Sequence, residues 1–194
     1  MGEPGQAEDL ARIGAVRHLI GPDVIFMVDA NYAMIPDQAI AMANAFKQYD
    51  ILWCEEPVIP DDFEAFSRIR AATGLAVAQG ENLHTMHVFE RALPHVAFIQ
   101  SDASNSLGIT GWLKLARMAQ DHGVPVCSHG MQELHVCLVS TRPHGGWLEV
   151  HSFPIDRYTM RPLVIKDHLA VAPDVPGIGV TFDWAKLEPF EVHL

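Results

Sequence analysis

Several features that mark large protein classes are missing from this 194-residue sequence. Its three cysteines, Cys54, Cys127 and Cys137, form no Cys-x-x-Cys pair, so neither a disulfide framework nor a cysteine-based zinc site is indicated. The odd count and scattered spacing point to reduced thiols and a cytoplasmic location. No apolar run approaches the roughly 20 residues that cross a bilayer. The first residues, Met1-Gly2-Glu3-Pro4-Gly5, lack the basic and apolar regions of a secretion signal. Basic side chains are scarce: 13 Lys and Arg stand against 24 Asp and Glu, a net charge of -11. A field of that sign repels nucleic acid and anionic membranes, so neither is expected as a partner. Gly-x-Gly-x-x-Gly and Walker-type Gly-Lys-Ser/Thr are absent, leaving a nucleotide-binding open sheet without support. Gly-x-Ser-x-Gly is absent too, which disfavours a serine hydrolase.

What is present is an ordinary globular balance, 49% hydrophobic and 19% charged, in a length suited to one domain with a real core. Strand-like and helix-like runs alternate. A helix is expected over 7–19, with Leu10, Ile13, Val16 and Leu19 on one face, then a strand over 24–28. Pro36-Asp37 opens a helix with Ala39, Ile40, Ala43 and Phe46 inward. Strands follow over 51–54, 75–79, 96–100 and 125–128, and helices over 62–72, 85–92, 110–122 and 132–140. The 110–122 helix is expected to bury Leu113, Leu115, Ala116 and Ala119. A last strand is expected over 147–150. From Phe153 the pattern changes: 163–165 and 169–171 flank Lys166-Asp167-His168 as a hairpin.

Regular alternation of strand and helix indicates a parallel sheet with right-handed crossovers. Asp29, Glu55, Glu81, Asp102, His129 and Glu149 all fall at strand ends, where a (β/α)8 barrel carries its active residues. The expected fold is therefore α/β, a TIM-like barrel. A complete barrel takes roughly 250 residues, and only six βα units are seen here, so the barrel is expected to be incomplete.

Asp29 to Glu55 and Glu55 to Glu81 are both 26 residues, one βα unit each, so the three carboxylates should converge at neighbouring strand ends. Three hard oxygen ligands suit Mg²⁺ better than zinc. Any one of them alone reads as a loop or helix-cap residue. His129 lies one strand beyond Asp102 at the same level, and an Asp bonded to imidazole makes a general base. Glu149 reads either as a neutral acid that donates to a developing oxyanion or as a rim residue. His84-x-x-His87 and the pair His144 and His151 lack cysteine partners and His-Glu-x-x-His, and read as loop and helix-surface residues.

Val28-Asp29-Ala30-Asn31, Glu55-Glu56-Pro57, Gly80-Glu81-Asn82, Ser101-Asp102, Gly108-Ile109-Thr110-Gly111, Ser128-His129-Gly130, Gln132-Glu133 and Trp147-Leu148-Glu149 occur in that order. Together they resemble the enolase superfamily, specifically the mandelate racemase subgroup, from residue 2 to about residue 190. The resemblance implies Asp29, Glu55 and Glu81 as Mg²⁺ ligands, and His129 with Asp102 as general base. It implies Glu149 as hydrogen-bond partner of the substrate carboxylate, and Asn31 as a further substrate-binding residue. The implied reaction removes the proton α to a carboxylate through an enediolate. Dehydration of a sugar acid (aldonate or aldarate) is the first expectation, and racemisation of a 2-hydroxy acid the alternative.

In the subgroup a Lys-x-Lys strand end, just ahead of a glycine corresponding to Gly2, supplies a base on the opposite face. This sequence opens at Met1 and has no lysine before Lys47. The expectation is a barrel without its first strands and its N-terminal α+β capping domain. Residues 1–152 would form the C-terminal part of the barrel. Residues 153–194 would form an extension whose hairpin packs on the capping domain. A homo-oligomer is expected of the longer parent, and a catalytically silent fragment is the third reading.

Overall fold

A computed structural model describes residues 5–152 and 154–192; Gly2 and the proposed boundary residue Phe153 lie outside the described residues. Five parallel strands make one sheet in the order of the chain: β1 (Phe26–Asp29), β2 (Ile51–Glu55), β3 (Ala76–Gln79), β4 (Phe98–Ser101) and β5 (Val126–Ser128). A helix follows each: α2 (Pro36–Phe46), α3 (Phe63–Thr73), α4 (Met86–Ala92), α5 (Gly108–Asp121) and α6 (Gln132–Ser140), with α1 (Gln6–Ile20) before β1. Strand order equal to chain order means every crossover steps to the next position, as in a barrel wall.

Local chemistry sets the ends of α2 and α3. Pro36 sits in the first turn of α2, where no backbone N–H is needed. The Asp62 side chain caps α3 by accepting from the Ala65 N–H at 3.1 Å, and Gly74 ends it in the left-handed region. Asp62→Ala should therefore lower stability by about 1 kcal/mol, read as a shifted urea midpoint with unchanged slope.

The main core lies between the sheet and the helices. Phe66, Ile69, Phe89, Leu93, Trp112 and Leu115 fill it, with Val77, Ile99 and Val126 from the strands. The opposite face of the sheet carries a smaller cluster of Trp53, Ala78 and Cys127, with the Trp53 and Phe98 rings 4.7 Å apart. Burial on both faces explains why these strands read as continuous apolar runs.

Three expectations need correction. Helix α1 buries Ile13 but leaves Val16 40% and Leu19 84% exposed, because it packs through its inner face on α2 and Tyr49 at the sheet edge. Arg17 holds it there by donating to the carbonyls of Tyr49, Gly21, Val24 and Asp50. In α5 Leu115, Ala116 and Ala119 are buried as expected, but Trp112 takes the core position expected of Leu113, which is 37% exposed. The expected strand over 147–150 is an extended loop. Gly145 makes one parallel bridge with Val126, and the Ser128 N–H donates to the Trp147 carbonyl at 3.1 Å. Beyond that the ladder is taken over by side chains: the Trp147 N–H donates to Cys127 Sγ and the Glu149 N–H to Ser128 Oγ. The segment thus runs beside β5 without joining the sheet.

After residue 154 the expected hairpin is present as β6 (Val164–Lys166) and β7 (Leu169–Val171). Asp167 and His168 both have positive φ at its tip, the conformation a two-residue type I′ turn demands. A short helix, α7 (Trp184–Leu187), follows. Among the described residues no helix is long and apolar enough to cross a membrane.

Candidate active site

Because the strands are parallel and in register, their C-terminal ends form one rim. Asp29 pairs with Glu55 in the β1–β2 register, so these carboxylates leave adjacent strands at the same level. Glu81 stands two residues beyond β3, after Gly80. That glycine has φ +145, and a Cβ there would press on the Gln100 backbone of β4, with the carbonyl carbon at 2.8 Å and the nitrogen at 2.9 Å. Only glycine lets the chain turn against β4 and deliver Glu81 to the rim.

Each carboxylate is steered by a neighbour. The Gln100 amide donates to Glu55 Oε2 at 2.7 Å. The Asn82 amide donates to Glu56 Oε2 at 2.7 Å and to Glu81 Oε1 at 3.1 Å. The Asn31 N–H donates to Asp29 Oδ1 at 2.7 Å. Burial pushes the Glu55 carboxyl up to about 8, opposed by the Gln100 bond and reinforced by the charges of Asp29, Glu81 and Glu149. Burial also raises Glu81, with the neighbouring Asp29 and Glu149 charges adding to it and His129 opposing. A hard-oxygen set that is partly desolvated and self-repelling fits a divalent cation, which would relieve both penalties.

His129 and Asp102 follow β5 and β4 directly. The His129 ring lies between two carboxylates: Nδ1 is 3.4 Å from Asp102 Oδ2 and Nε2 is 3.0 Å from Glu81 Oε2. Only an imidazolium donates to both, and the Asp102 bond is the main cause that raises His129 to about 9, against the opposing effect of its burial. Burial alone would raise Asp102; its bonds from His129 and Ser104 outweigh this and hold it below its ordinary value. Glu149 Oε2 accepts from the Gly130 N–H at 2.7 Å, and Oε1 lies 3.1 Å from His151 Nε2. A cavity of about 230 Å³ opens below, lined by Asp29, Glu55, Gln100, Ser128 and Glu149 among others.

Sequence reasoning brought six of these residues to the rim and placed Asn31 beside Asp29. It missed three supports. Gln100 and Asn82 steer the carboxylates. His135, fully buried, accepts from the Ala103 N–H at Nε2 and meets the Gly130 carbonyl at Nδ1. It thereby ties the loop after β4 to the loop after β5. Burial lowers its pKa, in keeping with a neutral ring. His151, read as a loop residue, is one, but it reaches Glu149 and the His129 ring, with centroids 5.4 Å apart. His144 donates from Nε2 to the Ala116 carbonyl at 2.8 Å and takes no part in this group.

The raised pKa values set how stability depends on pH. Burial raises Glu55 to about 8 and Glu56 and Glu133 to about 7, while its Asp102 bond raises His129 to about 9. Between pH 6.5 and 9 the folded chain therefore holds more protons than the unfolded one, so stability falls as pH rises. In the presence of a chelator the urea midpoint should drop steadily across that window. Added Mg²⁺ should raise it more at pH 8.5 than at 6.5, since it binds ionised carboxylates. A midpoint that rises with pH would refute this.

Comparison with known proteins bears on the same residues. The family model described as enolase C-terminal domain-like matches residues 1–186. A 3,6-anhydro-alpha-L-galactonate cycloisomerase of Streptomyces coelicolor is 36% identical over 96% of this chain and 52% of its own length. A racemase from the same organism, solved with bound magnesium, superposes with a TM-score of 0.94 at 36% identity, over 99% of this chain and 54% of that one. An L-talarate dehydratase from Polaromonas, solved with Mg and L-glucarate, superposes at 0.90 and 30% identity, over 94% and 52%. The chain thus spans about half the length of the relatives it matches. By the family match over nearly its whole length, the chain belongs to the enolase superfamily, in the mandelate racemase group with the enolase C-terminal domain-like fold.

Proposed function

We propose that the protein carrying this chain removes the proton α to the carboxylate of a sugar acid and then expels a β-hydroxyl, as a dehydratase. The observation that carries the reading is the His129 ring, set between Asp102 and the carboxylate rim. Asp29, Glu55 and Glu81 would hold Mg²⁺, which when bound supplies charge to stabilise the two oxygens of the enediolate. His129 takes the α-proton at Nε2, while Asp102 keeps Nδ1–H in place and stabilises the resulting imidazolium. The same imidazolium then returns its proton to the departing hydroxyl. Glu149, its other oxygen fixed by the Gly130 N–H, hydrogen-bonds the substrate carboxyl group, and Asn31 contacts the substrate from the β1 side.

Racemisation stands second, because one similar structure is a racemase. A silent chain stands third. Incubation with aldonates and aldarates, Mg²⁺ and deuterated water separates them. Loss of a hydroxyl to give a keto acid supports dehydration, α-deuteration with all hydroxyls retained supports racemisation, and neither supports silence.

The same reading takes residues 1–152 as barrel wall and 153–194 as an extension that meets a capping domain in the longer protein. Trp184, 73% exposed, and Phe190, 64% exposed, are the apolar surface that such a contact would cover. A cytoplasmic homo-oligomer completes the proposal.

A further inference from the structure

His151 is the residue beside the base and Glu149 that the reaction above does not use. Among the described residues one group of three or more His, Cys, Asp or Glu donors has ligand atoms all within 4.8 Å of one another: His129, Glu149 and His151. All three are half-buried, and two of them are already oriented. Asp102 faces Nδ1 of His129, the arrangement in which a carboxylate fixes the tautomer of a ligating imidazole. The Gly130 N–H holds Glu149 Oε2, so Oε1 is the oxygen turned to His151 Nε2, at 3.1 Å.

We propose that these three side chains form a second metal site, for a borderline divalent cation of the zinc class, separate from the oxygen triad of Asp29, Glu55 and Glu81. Two imidazoles and one carboxylate with a position left open are a known zinc donor set. Imidazole ligands favour late first-row ions over magnesium, and the net charge of -11 raises local cation concentration. The fourth position is left open to water. In function, and here the inference rests on His129 being the base, an ion at this site would take up the base and Glu149 together. Zinc would then be an inhibitor of an enzyme that needs magnesium.

The test is calorimetric titration of this chain with zinc chloride in saturating Mg²⁺, repeated with Co²⁺, whose visible spectrum reports nitrogen ligation. The expected result is one ion per chain, with affinity at least about tenfold weaker in His151→Ala and the cobalt band lost. Asp29→Asn should weaken Mg²⁺ binding and leave zinc affinity within about twofold. Should His151→Ala fail to fold, His151→Gln carries the same comparison. Zinc that does not bind, that Mg²⁺ displaces, or that binds equally well to both His151 variants would overturn the site. None of these readouts involves turnover, so the zinc site and the proposed reaction can fail independently.

Discussion

In His129→Asn, exchange of the substrate α-proton should fall by about 10²–10⁴-fold, with Mg²⁺ affinity retained. Asparagine keeps a planar polar group that can still meet Asp102, so the local fold has little reason to move. It cannot accept a proton near neutral pH, and that is the function removed. The test belongs in the protein that carries this chain, read by deuterium wash-in from solvent at saturating sugar acid and metal. A drop in kcat with KM little changed would mean that the ring acts in the transition state alone. Exchange at the parental rate would remove His129 as base, and with it the proposed role of Asp102. The pH profile adds a check. The raised pKa of His129, about 9, means that the base form grows with pH, so the rate should climb through the alkaline range.

The second large effect concerns Gly80. In Gly80→Ala the new Cβ would meet the carbonyl oxygen of Gln100, with its carbon at 2.8 Å and nitrogen at 2.9 Å, at a φ of +145. Backbone cannot swing aside as a side chain can, because Gln100 is bonded within β4 and its amide holds Glu55. A disallowed conformation and a backbone clash each cost about 1–3 kcal/mol, so a loss of several kcal/mol in a urea melt is expected. The damage should also reach chemistry. Any shift that relieves the clash moves Glu81, one residue on, and slackens the grip of Gln100 on Glu55. Mg²⁺ should consequently stabilise the variant less than it does the parent. A variant as stable as the parent, with an equal Mg²⁺ response, would refute the argument.

Much of this arrangement was legible beforehand. The repeat of 26 residues is a local property, the length of one strand, one helix and two short turns, so it placed Asp29, Glu55 and Glu81 on one rim without any long-range contact. Pro36, Asp62 and Gly74 mark helix ends through bonds within three or four residues, and those boundaries held. The hairpin followed from its turn residues. Errors arose where distant segments compete for the same groups. The 147–150 segment has the composition of a strand, yet the Cys127 and Ser128 side chains take the N–H groups that a ladder would need. In α1, Val16 and Leu19 keep a helical stripe that nothing among the described residues covers.

The sequence by itself determined the parallel α/β order, the rim of acidic strand ends and the pairing of Asp102 with His129, because each rests on spacing within one or two βα units. The tertiary structure decided the rest. That Gln100 holds Glu55 across 45 residues, that His135 ties the two loops of the dyad across 32, and that His151 reaches both Glu149 and the His129 ring are outcomes of packing. Side-chain direction at these positions is set by which neighbouring strand blocks or satisfies each polar atom, and periodicity carries no record of that.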